Sequence, residues 1–364
     1  MTPHADTART VPSRAAPRVG WVGWVRGHWL ATPVDVVVAL AILSLFFYAG
    51  PKVVRWAFVD SVVVADSPSG CAAAAGACWA VITNHFRAII FGLYPYGEQW
   101  RAGLALGVVA MALVTTFVLG ATRLLIVVFV WIVAAIVFVV LMAGGMLGLT
   151  AVAPDAWGGL PLSIFVFITT ILFGFPLSLV LALGRGSRLP AVRIVCTTAV
   201  EIVRAMPILT ILFCAAIVIP LMLPGWLNPD KLYRVIAAMV FFYACFQAEI
   251  VRGGLQGVPV GQVQAALSLG MTPLQSKLFV ALPQALRYTI PATINQMVVA
   301  LKDTSMLLVV GLFDFVASAN TAITKDDWAR YFTELYVFVA VVFLILTTVV
   351  AALERRFVGE SHHD

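Results

Sequence analysis

The sequence predicts an all-α, polytopic membrane protein of about eight spans, and three observations carry that class. Hydrophobic residues make up 62% of the chain and charged residues 11%, with a mean hydropathy of +1.01, well outside the composition of soluble domains. The apolar runs are continuous and roughly 20 residues long, enough to cross a ~30 Å hydrocarbon layer as helices. They do not alternate apolar with polar, which excludes a barrel, and only helices and closed barrels satisfy their backbone in lipid.

In chain order, residues 1–30 are polar and rich in Pro, Ala and Arg. They are expected to form a disordered cytoplasmic tail, with no apolar core of a cleavable signal peptide. Spans are expected near residues 34–53, 102–120, 124–147, 162–183, 202–223, 235–249, 291–316 and 336–353. The organisation that follows is three N-terminal spans within 31–160, a five-span core within 161–356, and a short tail, 357–364. Of the Lys and Arg residues, 14 fall on one side of these spans and 8 on the other; Lys302, inside a span, completes the 23. The richer side is expected to be cytoplasmic, with both termini inside. The net charge of +6 then reflects span anchors and gives no reason to invoke nucleic acid.

One polar stretch stands apart from these runs. Residues 261–286, GQVQAALSLGMTPLQSKLFVALPQAL, are expected to form two short helices between spans, on the cytoplasmic side. Gly270 suits the left-handed residue that closes the first. Thr272, Pro273 and Gln275 supply the cap, first turn and capping box of the second. Such an element suits docking of a soluble partner.

Ionisable residues in or near spans are the next signal, since each costs about 2.5–3.5 kcal/mol at mid-bilayer. Starting a helix at Pro291 puts Lys302 roughly 16 Å deeper at ~1.5 Å per residue, near the midplane. Asp303 beside it points ~100° away, so each needs another partner: a charge on a neighbouring span or a charged substrate. Thr304, Ser305 and Asn295 complete this candidate pathway set. Glu201 with Arg204, and Glu249 with Arg252, repeat the pattern Glu-Ile-Val-Arg near cytoplasmic span ends. Each copy allows a local pair and a charged lining at a cytoplasmic mouth.

Cys71 and Cys78 lie in the extracytoplasmic loop 54–100, where they are either a disulfide or two small packed residues. None of the five histidines, His362 and His363 included, stands at metal-ligand spacing with cysteine. No GxxxxGK[ST] phosphate loop occurs. Neither a catalytic nor a metal site is expected, and any ATP would have to bind elsewhere.

These residues together resemble a family. Gln264-Ala265-Ala266, then Gly270, then Leu282-Pro283 resemble the EAA loop of permease subunits of bacterial ABC importers. EIVRAMPIL from Glu201, AEIVRGGLQGVPVGQ from Ala248 and LKDTSMLLVVG from Leu301 are similar to its polar amino-acid branch. The three extra N-terminal spans resemble the long permeases of general L-amino-acid importers, including systems for glutamate, glutamine, aspartate and asparagine. Gln264 departs from the family's leading glutamate, so the charge at that contact is absent.

The resemblance implies a type I permease core in the bacterial inner membrane, with a cytoplasmic coupling loop at 253–290. Gln264, Ala265, Ala266, Gly270 and Pro283 would dock a separate ATPase. ATP and Mg would bind that partner and no cofactor this chain. Further implied partners are a homologous second permease, two ATPase copies, a periplasmic binding protein and an amino-acid substrate. The rival reading is an ion-gradient-driven secondary transporter or channel using Lys302 and Asp303.

Overall fold

The computed structural model describes residues 32–146, 148–324 and 327–360, together with Gly23, Gly27 and Trp29. The N-terminal tail and the His362-His363 pair lie outside the described residues. Helix dominates; among the described residues the one extended pairing is a bridge between Gly159 and Asp314.

Two units are distinct. The smaller holds α1 (Pro33–Val54). Thr32 caps it by accepting from Asp35 N–H at 3.2 Å, while its own N–H reaches the Asp35 carboxylate at 2.9 Å. With Pro33 in the first turn, this is a reciprocal capping box. The helix runs on through a π turn, Arg55–Val59, and its apolar side chains are largely exposed, as suits lipid.

The larger unit opens with α2 (Ala80–Phe91), too short to cross a bilayer, whose Ala80, Val81, Ile82 and Ile89 are buried. It lies in the stretch expected to be a loop. The hairpin α3 (Gln99–Leu119) and α4 (Leu124–Ala143) follows. The third span therefore ends at Gly144, in the left-handed region at φ +62°, rather than near residue 147. Trp131 Nε1 ties the hairpin together by donating to Thr116 Oγ1 at 3.0 Å.

Five further spans complete the unit. They are α5 (Gly159–Arg185), the bent pair α6 (Pro190–Ala205) and α7 (Ile208–Met222), α8 (Lys231–Gly257), α10 (Pro273–Val310), and α12 (Phe332–Glu360). Among the described residues seven helices are long and apolar enough to cross a membrane, or eight with the bent pair as one span. Helix α8 is the hub, packed on α5, α6 and α10. Close approach is set by missing side chains. A Cβ on Gly174 would meet the Tyr243 ring at 2.6 Å, and one on Gly254 the Ala285 carbonyl oxygen at 2.7 Å.

The fifth and seventh spans depart from expectation. The fifth, expected from residue 202, is broken: α6 and α7 meet at 108°. Met206, held extended before Pro207 (φ −100°, ψ 140°), is the cause, because a residue preceding proline is pushed out of the helical region. The seventh was expected to start at Pro291. Instead Pro273 opens α10, which continues without a break through a π turn at Ser276–Ala281 and past Pro283 and Pro291 to Asp303. It ends as a 3₁₀ stretch, Thr304–Val310, closed by Gly311 at φ +71°, before a separate α11 (Phe315–Thr324). The polar stretch is therefore one short helix, α9 (Val260–Ser268), and the first turns of a long one, not two short helices.

At the end of the bundle away from Gly270, three segments meet with almost no side chains between them. Gly92 ends α2 at φ +58° and Gly159 opens α5 at φ +66°. Gly159 N–H donates to Phe313 O at 2.8 Å and lies 3.0 Å from Ser318 Oγ. Asp314, fully buried, caps α11 by accepting from Val316 and Ala317 N–H at 3.1 and 3.0 Å. Cys71 and Cys78 are joined by a disulfide. Cys78 N–H donates to the buried Glu334 carboxylate at 3.1 Å, and Tyr331 Oη to Pro68 O at 3.0 Å.

Candidate functional site

The stretch around Gly270 is a tightly specified turn. Gly270 takes φ +85°. Met271 N–H bonds Ala266 O at 3.2 Å and Gly270 N–H bonds Leu267 O at 3.0 Å, the 6→1 and 5→2 pair of a Schellman motif. Thr272 then caps α10, its hydroxyl accepting from Gln275 N–H at 3.3 Å and its N–H donating to the Gln275 side chain at 2.9 Å. Ala266 is buried, and Ser276, wholly buried, donates to Val263 O at 3.4 Å. So α9 and the start of α10 form one piece. Gln264, Ala265, Gly270 and Pro283 are exposed. So are Leu269 at 83%, Phe279 at 69% and Leu274 at 60%. A rigid turn displaying three large apolar side chains beside neutral polar ones is built for contact.

The two Glu-Ile-Val-Arg copies converge; the second forms its expected local pair and the first does not. Glu249 is the centre. It pairs with Arg252 one turn away, with Arg185 at the end of α5 at 2.5 Å, and with Arg204 on α6 at 3.4 Å. Glu201 pairs with Arg185 at 3.7 Å rather than with Arg204. Arg185, the last residue of α5, is thus the residue that joins the copies. A residue at the close of a span is the only sequence hint of that role. Beside the cluster opens a groove of about 510 Å³ between α8 and α10, walled by Glu249, Gly253, Gly257, Tyr288 and Ala292.

The Lys302 set does not gather into a pocket of this chain. Lys302 lies 29 residues past the start of α10 at Pro273, roughly 44 Å at ~1.5 Å per residue, so Pro291 is not the helix start from which its depth was counted. Lys302 and Asn295, seven residues apart, share a helical face, and both are exposed. Asp303 is half-buried. Thr304 is buried with its hydroxyl on Leu301 O at 2.7 Å, and Ser305 donates to Lys302 O at 2.8 Å. These two hydroxyls are satisfied within their own turn. Among the described residues neither Lys302 nor Asp303 has an ion-pair partner.

A multi-span helical bundle with a rigid display turn at one end and an uncovered Asn–Lys face along a span is a polytopic membrane protein with surfaces open to partners. Residues 174–359 match the family of binding-protein-dependent transport system inner membrane components. The chain belongs to that family and is a permease subunit of an ABC transport system. It is 34% identical to the inner membrane amino-acid ABC transporter permease protein YhdY of Escherichia coli, over 93% of this chain and 94% of that one. It is 28% identical to the glutamate/glutamine/aspartate/asparagine transport system permease protein BztC of Rhodobacter capsulatus, over 94% and 95%. A crystal structure of an amino acid ABC transporter with histidines is similar at 27% identity and a TM-score of 0.50, covering 56% of this chain and 92% of that one.

Proposed function

We propose that this permease carries amino acids inward across a bacterial inner membrane, driven by ATP bound with Mg in a separate ATPase. The Gly270 turn faces the cytoplasm and seats in that ATPase, and both termini lie on the same side. The observation that carries the reading is the exposed Leu269, Leu274 and Phe279 on a turn held by a Schellman motif and a capping box. Large apolar groups fixed at a bundle end, just past polar Gln264, suit a protein groove better than water or lipid. The neutral Gln264 makes that contact one of shape and apolar burial.

The face with Asn295 and Lys302 supports a translocation path shared with a second, homologous permease. An amide and an ammonium on a crossing helix are costly against lipid, and no described residue supplies Lys302 with a counter-charge at ion-pair distance. A carboxylate-bearing substrate or the second subunit would. A periplasmic binding protein would deliver substrate to the opposite end. An ion-gradient-driven carrier would use the same lysine but would leave the Gly270 turn without an occupant.

The test is reconstitution with the co-purifying ATPase. Uptake is expected to require ATP hydrolysis, and Gly270→Pro to abolish ATPase retention because proline cannot take φ +85°. Uptake by this chain alone on an ion gradient would overturn the reading. Lys302→Met is expected to lose substrate transport while keeping the ATPase bound.

A further inference from the structure

We propose that Arg185 and Gly186 relay movement of the Gly270 turn to the charged cluster on Glu249, making Lys277 and Arg185 positioning residues of the transport cycle. The proposal rests on the permease reading above and adds the contact through which docking is felt. Lys277 lies in the π turn at the start of α10. Its Nζ donates to Gly186 O at 2.8 Å, crossing from the display turn to the end of α5. A cation on the carbonyls that close a helix is favoured by the helix dipole as well. One residue earlier in the chain, Arg185 holds Glu249 at 2.5 Å and Glu201 at 3.7 Å.

Two features make this junction a switch rather than a brace. First, the turn moves as one body, because buried Ser276 ties α10 back to α9 immediately beside Lys277. A push on the exposed apolar groups therefore reaches the ammonium without slack. Second, the cluster holds three guanidiniums and two carboxylates, drawn from α5, α6 and α8. One carboxylate short, it always leaves a guanidinium that must share a carboxylate, so partners can be exchanged within it. Glu201, with 64% of its side chain exposed, is within reach of Arg185 and stands one turn from Arg204 on α6. A small shift of the α5 end can pass Arg185 from Glu249 to Glu201 and free the inner ends of α6 and α8 to part. Discrete rearrangements of this kind convert small displacements into transitions.

The experiment uses the whole complex in liposomes and reads the ratio of amino acid transported to ATP hydrolysed. Lys277→Met is expected to retain the ATPase and the wild-type melting temperature, yet lower that ratio at least about fivefold, the low end of ordinary coupling energies. Lys277→Arg, which keeps a donor, is expected to restore most of it. Glu201→Gln should lower the ratio on its own, and the double variant should be no worse than the poorer single. A wild-type ratio in Lys277→Met, or effects that multiply in the double variant, would overturn the relay. Loss of the ATPase from Lys277→Met would overturn it too, by making Lys277 a docking residue. A wild-type chain that neither retains nor stimulates an ATPase would instead bring down the permease reading, and the relay with it.

Discussion

The two ends of the bundle are held by opposite means. At the Gly270 end, long charged side chains from three helices share one partly exposed carboxylate. At the other end, backbone packs on backbone through Gly92, Gly158 and Gly159, with a buried Asp314 and Glu334 and a disulfide close by. Guanidinium–carboxylate contacts can exchange partners at little cost. A glycine crossing cannot yield without losing its contacts. The contrast puts exchangeable contacts at one end and fixed ones at the other, as a gate worked from the Gly270 end would require.

The largest effect is expected from Gly159→Ala. A Cβ there meets the Ile90 carbonyl, and φ +66° adds backbone strain. A loss of about 3–5 kcal/mol should appear as failure to recover a monodisperse complex; a fully stable variant would break the claim of anchorage. Glu249→Gln comes next, leaving three guanidiniums without their shared charge. With 22% of the side chain exposed the cost is expected at about 1–3 kcal/mol, below that of a fully buried pair. Glu201→Gln, on a largely exposed side chain, should cost under ~0.5 kcal/mol in thermal unfolding, so its effect on coupling can be read apart from stability.

A last prediction concerns pH. Burial pushes the Asp314 carboxyl up to about 7, against the pull of its backbone N–H donors. A raised carboxyl binds more protons folded than unfolded, so stability falls as pH rises from about 4 to about 7 and is level above that. Asp314→Asn, which keeps an N-cap and has no proton to lose, is expected to flatten melting temperature against pH across that window. An unchanged slope would relocate the titrating group.

What could be read from the sequence was local. Gly270, Thr272, Pro273 and Gln275 sit within six residues, and caps are written in short windows. The span count survives because long apolar runs are strong signals. The failures share a cause in tertiary context. Pro291 looks like a helix start but is carried inside α10, as is Pro283 just past the π turn. The partners of Arg185 lie 16 and 64 residues away along the chain on other helices, so no spacing rule could pair them. The two Glu-Ile-Val-Arg copies were visible as a repeat; their meeting at one carboxylate was not.

The clasp between Cys78 and Glu334 also orders events during synthesis. Its two ends are 256 residues apart, and those of Tyr331 with Pro68 are 263 apart. The ribosome, at ~5–20 residues per second, releases the cysteine-bearing segment well over ten seconds before the start of α12. During that interval Cys78 N–H and Pro68 O lack the partners they take in the finished fold, while the α3–α4 hairpin and α5 are already made. Helix α12 and the turn before it thus close a loop made long before them, and a chain truncated before residue 331 would lack both of these contacts.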